Sequence, residues 1–90
     1  MQVVFNPDSK TYLRTNPDND CEIQWASHPN TSWQKYYRFN CPVMALTVDN
    51  ERNCAVIILE NKTAYLANHG AVNQIHYPSG HQISVMYGVH

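Results

Sequence analysis

Residues 33–39 carry the densest set of side chains suited to molecular recognition. They read Trp-Gln-Lys-Tyr-Tyr-Arg-Phe, four aromatic rings with two cations. Ring stacking combined with cationic contacts is the chemistry of single-stranded nucleic-acid binding, and Trp, Tyr and Arg also dominate protein–protein contacts. The alternative interpretation is that half of these rings fill the core while the two cations are solvated. The candidate partner-binding residues of this segment are Trp33, Lys35, Tyr36, Tyr37 and Arg38.

The last third of the chain is unusual because it carries no charged side chain apart from histidine. Residues 63–90 contain no Asp, Glu, Lys or Arg, and four of the five histidines lie there. Edge strands normally carry charge that discourages strand addition, whereas the cores of protein interfaces are poor in charge and rich in Tyr. We therefore expect strand 81–89 to contact another protein, or a second copy in a homodimer. The alternative is a strand buried on one side and coated with Asn, Gln and Ser on the other. The candidate contact residues are His81, Ser84, Met86 and Tyr87.

The histidines do not have the spacing of a metal site. A three-residue loop at 78–80 would place His76 and His81 on opposite faces of their hairpin. Zinc needs three or four ligands, and the sequence holds no C-x-x-C or H-x-x-x-H run to supply the others. We expect neither a metal nor a cofactor.

No complete catalytic motif is present either. Cys21, Cys41 and Cys54 can be combined with many His and Asp residues, so such combinations carry no weight for an enzyme. The cysteine count is odd, and the first residues have neither the basic stretch nor the apolar core of a signal peptide. We expect a non-enzymatic protein with free thiols in a reducing cytoplasm.

The elements that must hold these residues are mostly strands and turns. Val, Ile, Thr, Tyr, Phe and Trp outnumber the good helix formers, and ten Asn residues favour many short connections. Asn-Pro-Asp occurs at 6–8 and again at 16–18, where proline and the flanking polar residues favour type I turns. This spacing predicts a β-meander.

The clearest element is a hairpin of strands 43–48 and 54–60, followed by a third strand at 63–68. In the predicted register Val48 pairs with Cys54. Residues 55–59 read Ala-Val-Ile-Ile-Leu and are apolar on both faces, which predicts a central strand covered on both sides. A last hairpin is predicted from 72–77 and 81–89.

Segment 31–39 can be interpreted in two ways. Ser32 as a cap and Asn40 as a stop favour a short helix. In a strand, Trp33, Lys35, Tyr37 and Phe39 would share one face, and the aromatic content favours this. We expect the helix.

Taken together, the sequence predicts a single, mainly β domain: a small antiparallel meander or half-closed barrel with one short helix around 31–39. A net charge of −1 excludes a strongly basic nucleic-acid binder, and no apolar run is long enough for a membrane span. The expected function is a protein-binding adaptor or inhibitor, of the small Asn-rich kind typical of viral or mobile-element accessory proteins. The alternatives are a single-stranded nucleic-acid-binding module using 33–39, and a small virion or assembly subunit.

Overall fold

Residues 3–76, the part of the chain that the computed structural model describes, fold into eight antiparallel β-strands without a helix. They form two four-stranded sheets, in which each strand pairs with its neighbour in sequence. The predicted antiparallel, mainly β meander is confirmed. The first sheet contains β1 (Val3–Asn6), β2 (Thr11–Asn16), β3 (Asn19–Ala26) and β4 (Gln34–Arg38). The second contains β5 (Val43–Asp49), β6 (Cys54–Leu59), β7 (Ala64–Asn68) and β8 (Ala71–Ile75).

The half-closed barrel is not formed, because the chain leaves the first sheet after β4 instead of continuing its hydrogen-bond ladder. Phe39 N still donates to Cys21 O of β3 at 2.8 Å. Pro42 O already accepts from Glu60 N, beside β6, at 2.9 Å. The four residues 39–42 thus carry the chain from one sheet to the other.

The short helix expected around 31–39 is wrong: this segment contains the edge strand β4. Its aromatic residues favour a strand, and β3 supplies hydrogen-bond partners along one edge. The pairing contains a bulge, since Ile23 faces Tyr37 and Gln24 faces Lys35, which leaves Tyr36 as the extra residue. The capping residues were too weak to outweigh the backbone pairing that β4 gains along β3.

The β5–β6 hairpin has the predicted strands but a register shifted by one residue. Asp49, not Val48, pairs with Cys54. The Asp49 carboxylate accepts hydrogen bonds from the backbone N–H groups of Glu51 and Arg52 at 2.9 and 3.3 Å. Asp49 therefore ends β5 and fixes a four-residue turn, so residues 45–48 of β5 face one position further along β6 than predicted. A bulge between Val43 and Ala45 returns Val43 to Leu59, the partner expected in the predicted register.

The β7–β8 hairpin closes through two residues, His69 and Gly70. Both have positive φ, 54° and 72°, which is the backbone of a type I′ turn. Strand β8 is the first strand of the predicted last hairpin. The loop at 78–80 and the strand at 81–89 lie outside the described residues.

Apolar side chains form two clusters, one on each face of the second sheet. The inter-sheet core includes Leu13 of β2, Ile23 of β3 and Phe39, which directly follows β4. These residues pack against five residues of the second sheet: Leu46, Ala55, Ile57, Leu59 and Ala67. The outer cluster consists of Cys54, Val56, Ile58, Ala64 and Leu66. Strand β6 contributes three residues to each cluster, and all six are buried. The prediction of a central strand covered on both sides is confirmed.

A buried asparagine joins the two sheets. Asn6, 1% exposed, donates from Nδ2 to Ala67 O at 3.0 Å, and its Oδ1 accepts from Ala55 N at 3.1 Å. In the turn that follows, an Asp8 carboxylate oxygen accepts from His69 N at 2.8 Å. The first Asn-Pro-Asp tripeptide is thus both a turn and a polar clip that orients the first sheet over the second.

Candidate binding surface on the first sheet

The outer face of the first sheet, which points away from the inter-sheet core, gathers aromatic rings and cations. Arg14 pairs with Val3 on one side and with Gln24 on the other, and Gln24 pairs with Lys35. Paired residues on neighbouring strands point to the same side, and Leu13 next to Arg14 belongs to the core. We call the resulting surface the aromatic–cationic face. It consists of Phe5, Tyr12, Arg14, Trp33, Lys35 and Arg38.

Two ring contacts organise this face. The Arg14 guanidinium carbon lies 4.4 Å from the centroid of the Trp33 ring, and Arg14 Nε donates to Gln24 Oε1 at 2.8 Å. Phe5 and Tyr12 meet edge to face with their centroids 5.2 Å apart. Stacked guanidinium and paired rings lose little freedom on binding, because their rotamers are already fixed.

The cations of this face form no ion pair within residues 3–76, although Glu22 lies on the same face opposite Arg38. No carboxylate there lies within ion-pair distance of Arg14, Lys35 or Arg38, and the ion pair that does form joins Arg52 to Asp49 on the second sheet. Glu22, which pairs with Arg38 across β3 and β4, accepts a hydrogen bond from Asn16 Nδ2 at 2.7 Å. Three cations are therefore available to an external partner.

The predicted contact residues of segment 33–39 lie on two sides of β4. Trp33, Lys35 and Arg38 belong to the aromatic–cationic face, whereas the bulge places the two tyrosines on the other side of β4. Tyr36 packs against the inter-sheet core there, and Tyr37 remains 41% exposed. The Tyr37 ring lies 4.7 Å from Phe39, whose ring lies 4.9 Å from Tyr65, so these rings bridge the sheets. His81, Ser84, Met86 and Tyr87 lie outside the described residues.

Tyr36 packs against the inter-sheet core beside a small open hollow. Burial, followed by the nearby Asp8 carboxylate and Cys54 thiol, raises the pKa of the Tyr36 phenol, which is therefore protonated at neutral pH. The hollow holds about 220 Å³ and is lined by Ser9, Thr11, Trp25 and Tyr36. The Ser9 and Thr11 hydroxyls bond to each other at 2.5 Å. This hollow is smaller than the roughly 300 Å³ at which ligand pockets begin.

Three residues of the face, Phe5, Tyr12 and Arg14, were not among the sequence-based candidates. Their signal was present in the alternation of β2, where Tyr12 and Arg14 flank the apolar Leu13. Phe5 joins them only because the turn at 7–10 pairs it with Tyr12. That pairing depends on turn length, which composition does not reveal.

The three cysteines are free thiols. Cys54 is buried, and burial together with the Asp8 and Asp49 carboxylates raises the pKa of its thiol. A buried, protonated thiol is a poor nucleophile and metal ligand. Across residues 3–76, no three His, Cys, Asp or Glu side chains come together in a group that could hold a metal ion.

Comparisons of the chain with protein-family models, with curated proteins and with solved structures found no match. In the part of the chain that is described, no helix has the length and apolar character that crossing a membrane requires.

Proposed function

We propose that this protein is a small non-enzymatic protein-binding module whose contact surface is the aromatic–cationic face. The observation that supports this is the stack of Arg14 on Trp33, beside the 44%-exposed ring of Phe5, on a continuous sheet. Arg and Trp are enriched among the residues that contribute most to protein binding. A sheet also holds them more rigidly than a loop would.

The finer features of the proposal follow from the sequence. An adaptor or inhibitor of the viral or mobile-element accessory kind would act in the cytoplasm, where three free thiols persist. Strand 81–89, with His81, Ser84, Met86 and Tyr87, remains a second predicted contact for a foreign protein or for a homodimer. An assembly subunit would use the same surfaces repeatedly.

Affinity purification from the native host cell, with mass spectrometry of what co-purifies, tests this proposal. The wild type should retain a partner that Trp33→Ala and Lys35→Glu each lose by at least about 30-fold in affinity, as expected for hot-spot residues. Lys62→Glu is the matched control, because Lys62 is an exposed cation in the β6–β7 turn of the other sheet. A partner bound equally by all four proteins would exclude this face as the contact surface.

Single-stranded nucleic acid is the second candidate partner, supported by three cations without ion pairs beside stacked rings. Three phosphate contacts would lower log K with a slope of about −2 against log salt, at about 0.7 per contact on single strands. Fluorescence anisotropy with short labelled oligo(dT) and oligo(rU) measures this slope. Our primary proposal expects no binding here, whereas salt-sensitive binding lost in Lys35→Glu would favour nucleic acid.

A further inference from the structure

Strand β4 is an open edge of the first sheet. Among the strands of residues 3–76, β3 pairs with one side of β4 and none pairs with its other side. Four of its five residues are exposed, a larger share than in any other described strand. An edge strand presents a row of unpaired backbone N–H and C=O groups. This row is a template on which a further strand can pair.

The charge on this edge selects which strand can pair there. Lys35 and Arg38 are both exposed and lie on the same side of β4. Charge on an edge strand discourages pairing with uncharged strands. A second copy of this chain would bring its own two cations beside these, and like charges opposite each other are destabilising. An acidic strand is attracted instead, because its carboxylates lie opposite the two cations.

The bulge in β4 sets the spacing of the acidic residues that fit. Lys35 and Arg38 lie three residues apart on β4. Their partners on β3, Gln24 and Glu22, are only two residues apart, because the extra residue lies in β4. A regular strand on the open side therefore meets the two cations with residues two apart, which share one face. The residue between them points to the other face, where Tyr37 is 41% exposed. The matching pattern is acidic–apolar–acidic.

We propose that β4 binds an extended acidic segment of a partner protein by strand addition, with two acidic residues at alternate positions facing Lys35 and Arg38. This inference rests on the proposed function, since it names the class of partner for the aromatic–cationic face. Backbone hydrogen bonds to β4 supply affinity, and the two carboxylates supply selectivity. The added strand extends the first sheet and lies beside the stack of Arg14 on Trp33.

Three capped synthetic peptides test the charge and the spacing by calorimetric titration of the full chain. The probe is Thr-Val-Glu-Val-Glu-Val-Thr. One control has lysine in place of both glutamates, and the other, Thr-Val-Glu-Glu-Val-Val-Thr, has the same composition with its carboxylates on opposite faces. The wild type should bind the probe at least about tenfold more tightly than either control. Equal affinities for the two glutamate peptides would show charge attraction without a paired strand and overturn the proposal.

Charge reversal in the protein supplies a matched pair of variants. Lys35→Glu should weaken binding of the probe by about tenfold and strengthen binding of the lysine peptide, because the attraction and repulsion across the ladder exchange places. Lys62→Glu changes an exposed cation of the other sheet and should bind both peptides as the wild type does. The same loss in the two variants would overturn the proposal.

N-methylated forms of the probe separate strand addition from charge attraction and need only the wild-type protein. In a strand, the N–H groups of alternate residues point to the same edge. Methylation of the two glutamate nitrogens therefore blocks one edge, and methylation of two valine nitrogens blocks the other, without a change in charge. One of these peptides should bind at least about tenfold more weakly than the probe and the other nearly as well. Equal binding of both would contradict strand addition.

Amide hydrogen exchange of the wild type distinguishes failure of this inference from failure of the proposed function. Addition of the probe should slow exchange within residues 34–38, because their free N–H groups gain partners. Binding of the probe without slower exchange in β4 would overturn strand addition and leave the face a binding surface. No binding of the probe would also overturn it, while retention of a co-purified partner by Trp33→Ala decides the proposed function separately. Tighter binding of oligo(dT) than of the probe would assign the cations to phosphate and overturn the inference.

Discussion

Replacing the buried Asn6 by alanine should destabilise the protein strongly, because this one side chain joins the two sheets. The amide bonds to two backbone groups of the second sheet, Ala67 O at 3.0 Å and Ala55 N at 3.1 Å. Both of those residues are buried, at 1% and 0% exposure. Alanine at position 6 leaves a donor and an acceptor without partners in a place that water does not reach.

The magnitude follows from these two groups. Each buried backbone group left without a partner costs about 1–3 kcal/mol. Asn6→Ala should therefore lower the free energy of unfolding by about 2–6 kcal/mol, which is comparable with the roughly 5 kcal/mol expected at the lower end for small domains. Urea denaturation followed by tryptophan fluorescence measures this, since Trp25 lies in β3 and Trp33 directly precedes β4.

The second Asn-Pro-Asp tripeptide provides a matched control. Asn16 accepts from Asp18 N at 2.9 Å just as Asn6 accepts from Asp8 N at 3.2 Å, but Asn16 makes no hydrogen bond to the second sheet. Asn16→Ala should cost about 1 kcal/mol, the loss of a partly exposed turn interaction. Two variants within about 0.5 kcal/mol of each other would refute the clip between the sheets.

Asn6→Asp separates loss of the donor from loss of the whole side chain. A carboxylate still accepts from Ala55 N but places a second oxygen against Ala67 O. Burial raises the pKa of the introduced carboxyl above its unfolded value, so its stability deficit against wild type should shrink as the pH falls through that pKa. A deficit that stays constant with pH would show that position 6 does not face Ala67 O.

Three further outcomes are expected. Ile58→Ala should cost about 2–4 kcal/mol in urea denaturation, because Ile58 is fully buried on a central strand; a cost below about 0.5 kcal/mol would contradict this packing. Burial acts to raise the pKa of Asp49, but hydrogen bonds from Arg52 and Glu51 lower it overall, so its contribution to stability is present above the unfolded pKa and lost as pH falls. Asp49→Asn should therefore differ from wild type at neutral pH and converge with it in acid, and a gap independent of pH would contradict the assignment. Finally, Ellman's reagent should count three thiols in the denatured, unreduced protein, whereas a count of one would reveal a disulfide.

Strand positions could be predicted from the sequence where both faces of a strand are apolar or where turn residues are distinctive. Residues 55–59 identified β6, and the two Asn-Pro-Asp tripeptides identified the turns after β1 and β2. Register was harder, because it depends on which residue ends the strand. Asp49 joined β5 and not the loop because its carboxylate binds the backbone of the turn, and this moved the pairing by one residue.

The composition of the aromatic–cationic face could be predicted only for Trp33, Lys35 and Arg38, because the rest depends on pairings between distant residues and on a bulge. Arg14 and Trp33 meet only after three strands have found their register. Within β4, regular alternation would have placed Tyr37 beside Trp33 and Lys35. The bulge at Tyr36 reverses this, sending Tyr37 to the Phe39 side. One inserted residue thus decides which rings share a side of β4 with Trp33 and Lys35 and which share the side of Phe39.

The two outer faces of this molecule differ in chemistry although each belongs to a four-stranded antiparallel meander. On the first sheet, Arg14, Lys35 and Arg38 keep the face hydrated, so its rings can remain accessible without a covering layer. On the second sheet the corresponding positions are Cys54, Val56 and Ile58, an apolar set whose exposure to water would be unfavourable. A partner that binds reversibly needs the first kind of surface, and a permanent contact needs the second. This difference is why we propose the first sheet, and not the second, as the surface for reversible binding of another molecule.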